Sequence, residues 1–292
     1  MKNQIRDLLA TVYKQSVDIE SMQSIGGGCI NQTQALTLSN GERVFLKYND
    51  RPPDGMFEKE ARGLKLMREA KNGPRIPKVI ALPDDSNPQF LVLEFIETGT
   101  PDHGYYERFG RALAALHRTT QDHYGLDHDN FIGSTVQKNT PEKDGLVFFR
   151  EHRLRFQQRL ARERGRLPVA TDKKIDQLCD RLDQWLDLSG EHTALVHGDL
   201  WSGNTFADHT GRPCLVDPAV HFGLRETDLA MTELFGRLPQ SFYDAYREAS
   251  PQNPGYEERK QIYNLYHLLN HLNLFGGSYL ASVESTVHHF VR

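Results

Sequence analysis

The stretch "LVHGDLWSGNTF", residues 195–206, decides how the chain is read. Leu195 and Val196 look like the tail of a buried strand. The chain then turns polar: His197, Asp199 and Asn204 stand close together, with Gly198 and Gly203 between them. One aspartate after a strand is usually a turn or a cap. "CLVDPA", residues 214–219, repeats the pattern, however, and supplies Asp217. Two oxygen ligands and a nearby carboxylate suit Mg²⁺, which keeps waters and shares its shell with substrate phosphates.

Upstream, "SIGGGCIN" places Gly26, Gly27 and Gly28 before a strand. Such glycines let backbone N–H groups approach phosphate oxygens, although a flexible turn explains them equally well. "TQALTLSNGERVFLKYN" reads as a hairpin turning at Asn40-Gly41, a dipeptide that favours such turns. Its second strand carries Lys47 on the same side as Phe45. The next segment, "MFEKEARGLKLMREA", spaces Phe57, Ala61, Leu64 and Met67 as a helix. Glu60 falls near that apolar stripe, where an unpaired acid is costly, and a Lys47–Glu60 ion pair accounts for both residues. "QFLVLEFIE" is a further strand. The order is therefore glycine loop, strand lysine, helix glutamate, apolar strand, Asp-x₄-Asn and strand aspartate. It is the parts order of a phosphoryl-transferring kinase lobe pair, and six parts in sequence are far more specific than any one.

Composition sets the outer limits. The chain has 292 residues, of which 25% are charged and 38% hydrophobic, with a net charge of −4. It is long enough for two lobes around a sizeable core. The charge gives no broad nucleic-acid footprint, and no apolar run approaches a membrane span. The N-terminal "MKNQIRDLLATVYKQ" is an amphipathic helix without a signal-peptide core. Three cysteines, Cys29, Cys179 and Cys214, show no metal-ligand spacing and suit a reducing cytoplasm. The character changes near residue 97, from strands and turns to mainly helical segments. The expectation is an α+β, protein-kinase-like two-lobe fold, with a β-rich lobe over 1–97 and a mainly helical lobe over 98–292.

The motifs "GGGCIN", "VFLKYN", "MFEKEARGL", "HGDLWSGN", "VDPAVHFGLRETDLAMTELFG" and "LYHLLNHLNLFG" resemble the fructosamine (ketosamine) kinases. These group with the aminoglycoside and choline kinases. "FGRALAALH" and "DNFIGSTVQKN" extend the likeness over nearly the whole chain. One departure is Gly145-Leu146, where the family often carries a Trp before the "FF" pair. The resemblance implies ATP and Mg²⁺ as cofactors, and a free ketosamine or a glycated protein lysine as acceptor. Asp199 would accept the acceptor hydroxyl's proton, and Asn204 and Asp217 would hold the metal. Lys47, fixed by Glu60, would meet the α/β-phosphates beneath the loop Gly26–Cys29. The backbone of Glu94 and Ile96 would read the adenine edge. His197 would orient the catalytic loop, and Asp228 would bond its backbone. Trp201 and His271 would face the sugar, a core histidine being the equal alternative for His271.

Sister kinases for choline, an aminoglycoside or homoserine, and a nucleotide-binding pseudokinase, remain the competing readings. Trp201-Ser202 and "NHLNLFG" argue against the first, and the intact base, lysine and metal ligands argue against the second. Arg150 to Arg166 carries seven arginines. A solvated helical face is the plain reading, and docking of an acidic glycated protein the sharper one. Cys29 is either a small buried hydrophobe or a thiol activated by its loop and Lys47. On the second reading it could link a dimer when oxidised; otherwise a monomer is expected.

Overall fold

The computed structural model describes residues 1–26, 30–84 and 87–291. Five strands come first: Ile19–Ser24 (β1), Gln32–Leu38 (β2), Arg43–Tyr48 (β3), Val79–Ala81 (β4) and Phe90–Glu94 (β5). They form one antiparallel sheet in the order β1-β2-β3-β5-β4. Gly41 takes φ 85° in the β2–β3 turn. Helices Lys2–Tyr13 (α1) and Met56–Arg68 (α2) accompany the sheet. Strand alternation divides the side chains between them. Val44, Leu46, Phe90 and Val92 pack with Ile5 and Leu9 of α1. Leu91 and Leu93 pack with Phe57, Ala61, Leu64 and Met67 of α2. Lys47 has the parity of Phe45, so it faces α2, and this places its ammonium at Glu60.

The rest of the chain is helical with short strands inserted. Tyr105–His117 (α3) precedes the hairpin Asn130–Ile132 (β6) and Thr135–Gln137 (β7). Next come Gly145–Phe149 (α4), a π-helical segment Arg150–Arg155, Phe156–Glu163 (α5) and Val169–Asp180 (α6). Asp144 caps α4 by accepting the N–H groups of Leu146 and Val147. Four short strands follow: Ala194–Val196 (β8), Thr205–Ala207 (β9), Pro213–Leu215 (β10) and His221–Gly223 (β11). β8 pairs with β11 and β9 with β10, both antiparallel. The chain ends in Glu226–Leu234 (α7), Gln240–Ala249 (α8), Tyr256–Phe275 (α9) and Leu280–Phe290 (α10). The sequence reading caught β8 and β10 as the apolar runs before Asp199 and Asp217, but not β6, β7, β9 or β11, where three residues are too few to display a period.

The arginine-rich stretch divides: Arg159, Arg162 and Arg164 keep the exposure expected of a solvated face, whereas others turn inward. Arg153 is buried. Arg155 pairs with Asp180 and Arg162 with Asp172. Arg164 and Arg166 donate to the Asn273 carbonyl, and Arg166 also to that of Leu272. These two side chains add donors at the C-terminal end of α9, where the last carbonyls run out of helical partners; the Leu272 carbonyl also accepts the Gly276 N–H. Part of the segment is therefore a brace, with Arg153 in the interior and Arg164 and Arg166 tied to α9. Among the described residues no helix is long and apolar enough to cross a membrane.

Candidate active site

Lys47, Glu60, Asp199, Trp201, Asn204 and Asp217 line one cavity of about 560 Å³. Lys47 Nζ lies 2.8 Å from both Glu60 oxygens and 2.9 Å from Asp217 Oδ1. Burial alone would strip the lysine of its proton, but Asp217 and Glu60 outweigh it and hold the ammonium above its ordinary range. Asp217 sits just beyond β10 at φ 54°, a left-handed conformation rare outside glycine. Its side chain stays 40% exposed to the cleft while one oxygen rests on Lys47.

Asp199 follows β8 on a turn made possible by Gly198. That glycine has φ 81°, and a Cβ there would lie 2.2 Å from the Ala219 carbonyl oxygen. Asn204 Nδ2 donates to the Asp199 carbonyl at 2.8 Å and to Oδ2 at 3.3 Å, which turns the amide oxygen away as a free acceptor. Burial, and then the neighbouring Asp217, push the Asp199 carboxyl up to about 7. A carboxyl tuned there can take a proton near neutral pH. Asn204, Asp217 and Asp199 thus supply hard oxygen donors on one wall. Among the described residues no three His, Cys, Asp or Glu side chains form a metal cage by themselves. A cation that completes its shell with water and phosphate fits this donor set.

The loop is held from behind. Asp228 Oδ2 accepts the His197 N–H at 2.7 Å, and Oδ1 accepts that of Gly198 at 2.8 Å. His117 lies 3.1 Å from the same carboxylate, a partner that "FGRALAALH" gave no reason to single out. His197 is fully buried. Its Nε2 meets the Val216 carbonyl at 2.8 Å, and its Nδ1 accepts the Asp199 N–H at 3.2 Å. Burial lowers its pKa, so it stays neutral and its two nitrogens are occupied. It orients the loop and leaves base chemistry to Asp199.

On the acceptor side the Trp201 indole lies against Gly203, where a Cβ would fall 2.3 Å from the ring. His271 Nδ1 is 2.8 Å from the His267 carbonyl, and its ring packs within 4.9–5.5 Å of Phe235, Tyr279 and Phe275. All four line the cavity. His271, Phe275 and Tyr279 recur every four residues, a spacing that could have marked this aromatic wall in advance. Glu94 and Ile96 stand at the lobe junction but do not line the cavity. The Glu94 carboxylate instead holds Arg75 at 2.6 Å and the Lys78 N–H at 3.0 Å. Gly26 is exposed. The expectations for Gly27, Gly28 and Cys29 fall outside the described residues.

A family model for fructosamine kinase matches residues 1–292. The chain belongs to the fructosamine kinase family. A candidate ketoamine kinase of Synechocystis is 42% identical, over 95% of this chain and 92% of its own. The chloroplastic protein-ribulosamine 3-kinase of Oryza sativa subsp. indica is 39% identical, over 99% and 83%. A crystal structure of a candidate fructosamine-3-kinase from Thermobifida fusca superposes with a TM-score of 0.86 at 31% identity, covering 98% of each chain. An aminoglycoside phosphotransferase in ternary complex with ADP and hygromycin B reaches a TM-score of 0.62 at 14% identity, over 98% of each chain. At that identity the likeness shows a shared kinase-like fold. As a fructosamine kinase the chain is a phosphotransferase, and its sheet lobe and helical lobe are those of this fold.

Proposed function

We propose that the protein transfers the γ-phosphoryl group of ATP to a sugar hydroxyl of a ketosamine, free or borne on a protein lysine. The observation that carries this reading is Asp199, a carboxyl raised to about 7 in the same cavity as Lys47 and Asp217. Residues 1–97 form the nucleotide lobe and 98–292 the catalytic and acceptor lobe. Asp199 orients the acceptor hydroxyl and takes its proton as the oxygen attacks phosphorus. Asn204 and Asp217 are the residues that would hold Mg²⁺. Bound there, Mg²⁺ would neutralise charge developing on the β- and γ-phosphate oxygens. Lys47, steered by Glu60, meets the α/β-phosphates. The roles expected of Gly26, Gly27 and Gly28 at the phosphates, and of the Glu94 and Ile96 backbone at the adenine edge beyond the cavity wall, belong to the same reading.

Trp201 offers a flat apolar face to the sugar's C–H groups. His271, kept neutral by burial, supplies its second ring nitrogen to a hydroxyl. Asp199 and the aromatic wall are thus shared between chemistry and recognition. Turnover of defined fructosamines and ribulosamines with ATP and Mg²⁺, set against choline and kanamycin, tests the reading. Preferential turnover of choline or kanamycin would overturn it.

A further inference from the structure

The motif "DNFIGSTVQKN" and the arginine-rich stretch meet at a buried polar cluster that the mechanism above does not use. Arg153 is 1% exposed and heads the fully buried side chains by volume. Among the described residues no carboxylate comes within ion-pair distance of it. It donates to the Lys138 carbonyl at 2.5 Å, the His152 carbonyl at 3.0 Å and Asn139 Oδ1 at 2.9 Å, while its buried Nε finds no partner. Its guanidinium lies over the Phe148 and Tyr266 rings, 4.5 and 5.5 Å from their centroids. An interior cation with only neutral partners is expensive, and an apolar side chain of that length would fill the space at lower cost. The π-helical turn Arg150–Arg155 is what carries this residue. Such turns are uncommon and recur at functional sites.

The cluster leads toward the metal side of the cleft. Asn139 Nδ2 donates to Asn130 Oδ1 at 2.8 Å, and Gln137 Nε2 donates to the same oxygen at 2.8 Å. With its oxygen doubly engaged, Asn130 turns Nδ2 to the Val220 carbonyl at 2.7 Å. Gln137 Nε2 also reaches the Ala219 carbonyl at 2.9 Å, and the Tyr266 hydroxyl fixes Gln137 Oε1 at 2.8 Å. Ala219 in turn donates its N–H to the His197 carbonyl at 2.8 Å. Side chains therefore grip the two residues that follow Asp217-Pro218, and the same backbone is pinned to the catalytic loop. Arg153 and Gly198 both line one small cavity of about 10 Å³.

We propose that Arg153 is a positioning residue for phosphoryl transfer, acting through Asn139, Asn130 and Gln137 on the backbone of Ala219 and Val220, and so on Asp217. The inference rests on the ketosamine-kinase reading, in which Asp217 holds the metal. Asp217 stands at a strained φ and partly open to solvent, so its aim depends on what anchors the chain after it. Misplacing a catalytic oxygen by an ångström is enough to slow a reaction by orders of magnitude.

The test compares Arg153→Met with the wild-type full-length protein by hydrogen exchange without ligands, by thermal melting and by steady-state kinetics. We expect the melting temperature to hold within a few degrees. Exchange over residues 216–222 should rise about tenfold or more, with α3 and α9 still protected. The kcat should drop roughly tenfold, with the acceptor KM unchanged and more Mg²⁺ needed for half-maximal rate. Wild-type exchange over 216–222, or increased exchange with unchanged kcat and Mg²⁺ requirement, would overturn the proposal. Asn139→Leu cuts the same path one bond further on and should reproduce the local exchange, so it decides the matter if Arg153→Met does not fold. A wild-type protein that phosphorylates no ketosamine would sink the functional reading, and the exchange comparison would still decide the link from Arg153 to the Asp217 segment.

Discussion

Lys47 Nζ and Asp217 Oδ1 lie 2.9 Å apart although 170 residues separate them in the chain. The contact ties β3 of the sheet lobe to the segment just past β10. Glu60 holds the same ammonium, so one cation serves two carboxylates at the floor of the cleft.

Removing that cation should leave two acids facing each other in a largely buried setting. We expect Lys47→Met to cost about 3 kcal/mol of folding stability, read from urea denaturation. Adding Glu60→Gln should recover part of the loss, because the orphaned acid is then gone. Equal stability of Lys47→Met and wild type would mean that Glu60 and Asp217 find other partners.

Asp199→Asn keeps the shape of the side chain and loses its basicity. Turnover should fall by roughly 10²-fold or more, while ATP still protects the protein against thermal unfolding. A variant that turns over near the wild-type rate would take Asp199 out of the proton transfer.

The raised Asp199 carboxyl also gives a pH signature in the metal-free protein. Folding moves it from 3.8 to about 7, so the native state binds this proton more tightly than the unfolded chain does. Its contribution to stability is full below pH 4 and is lost as pH climbs through 7. Asp199→Asn should therefore melt a few degrees above wild type at pH 8, with the gap closing near pH 4. Bound Mg²⁺ and nucleotide should favour the carboxylate and shrink the gap at pH 8.

If Asn204 and Asp217 hold the metal, Asp217→Ala should abolish Mg²⁺-dependent ATP turnover, and Asn204→Ala should raise the Mg²⁺ concentration needed. Excess EDTA should silence the wild type, with Mg²⁺ restoring it. Persisting activity in EDTA would contradict this assignment.

The thiols of Cys179 and Cys214 are buried, and burial pushes both up to about 12. Iodoacetamide should spare them in the folded protein and label them only after unfolding, as mass spectrometry of digests can read. Any native-state labelling, and any loss of activity to peroxide that a reductant reverses, should then trace to Cys29 and vanish in Cys29→Ala. Reversible inactivation that persists in that variant would sink the redox role assigned to Cys29.

Much of the site was legible because its residues announce themselves locally. Asp199, Asn204 and Asp217 interrupt apolar strands, Lys47 and Glu60 sit where an unpaired charge is costly, and glycines flank the turns. Hidden were the residues whose roles depend on distant partners. His117 reads as the end of an apolar helix until Asp228 arrives beside it. Phe235, just past α7, looks like an ordinary aromatic until the fold brings it beside His271. The Glu94 side chain was unremarked, and it turned out to grip Arg75.

The sequence by itself determined the order of the kinase parts, the hairpin that turns at Asn40-Gly41, and the parity that sends Lys47 toward α2. Those are short-range consequences of side-chain period and turn chemistry, fixed before any packing. Only the tertiary structure decided which arginines of the basic stretch leave the solvated face, with Arg153 drawn into the core and Arg164 and Arg166 tied to the end of α9. A charged residue with a long stem can lie on a surface or cross an interior, and its own neighbours in sequence do not distinguish the two. The choice is made by which unpaired carbonyls and amides the fold leaves within its reach.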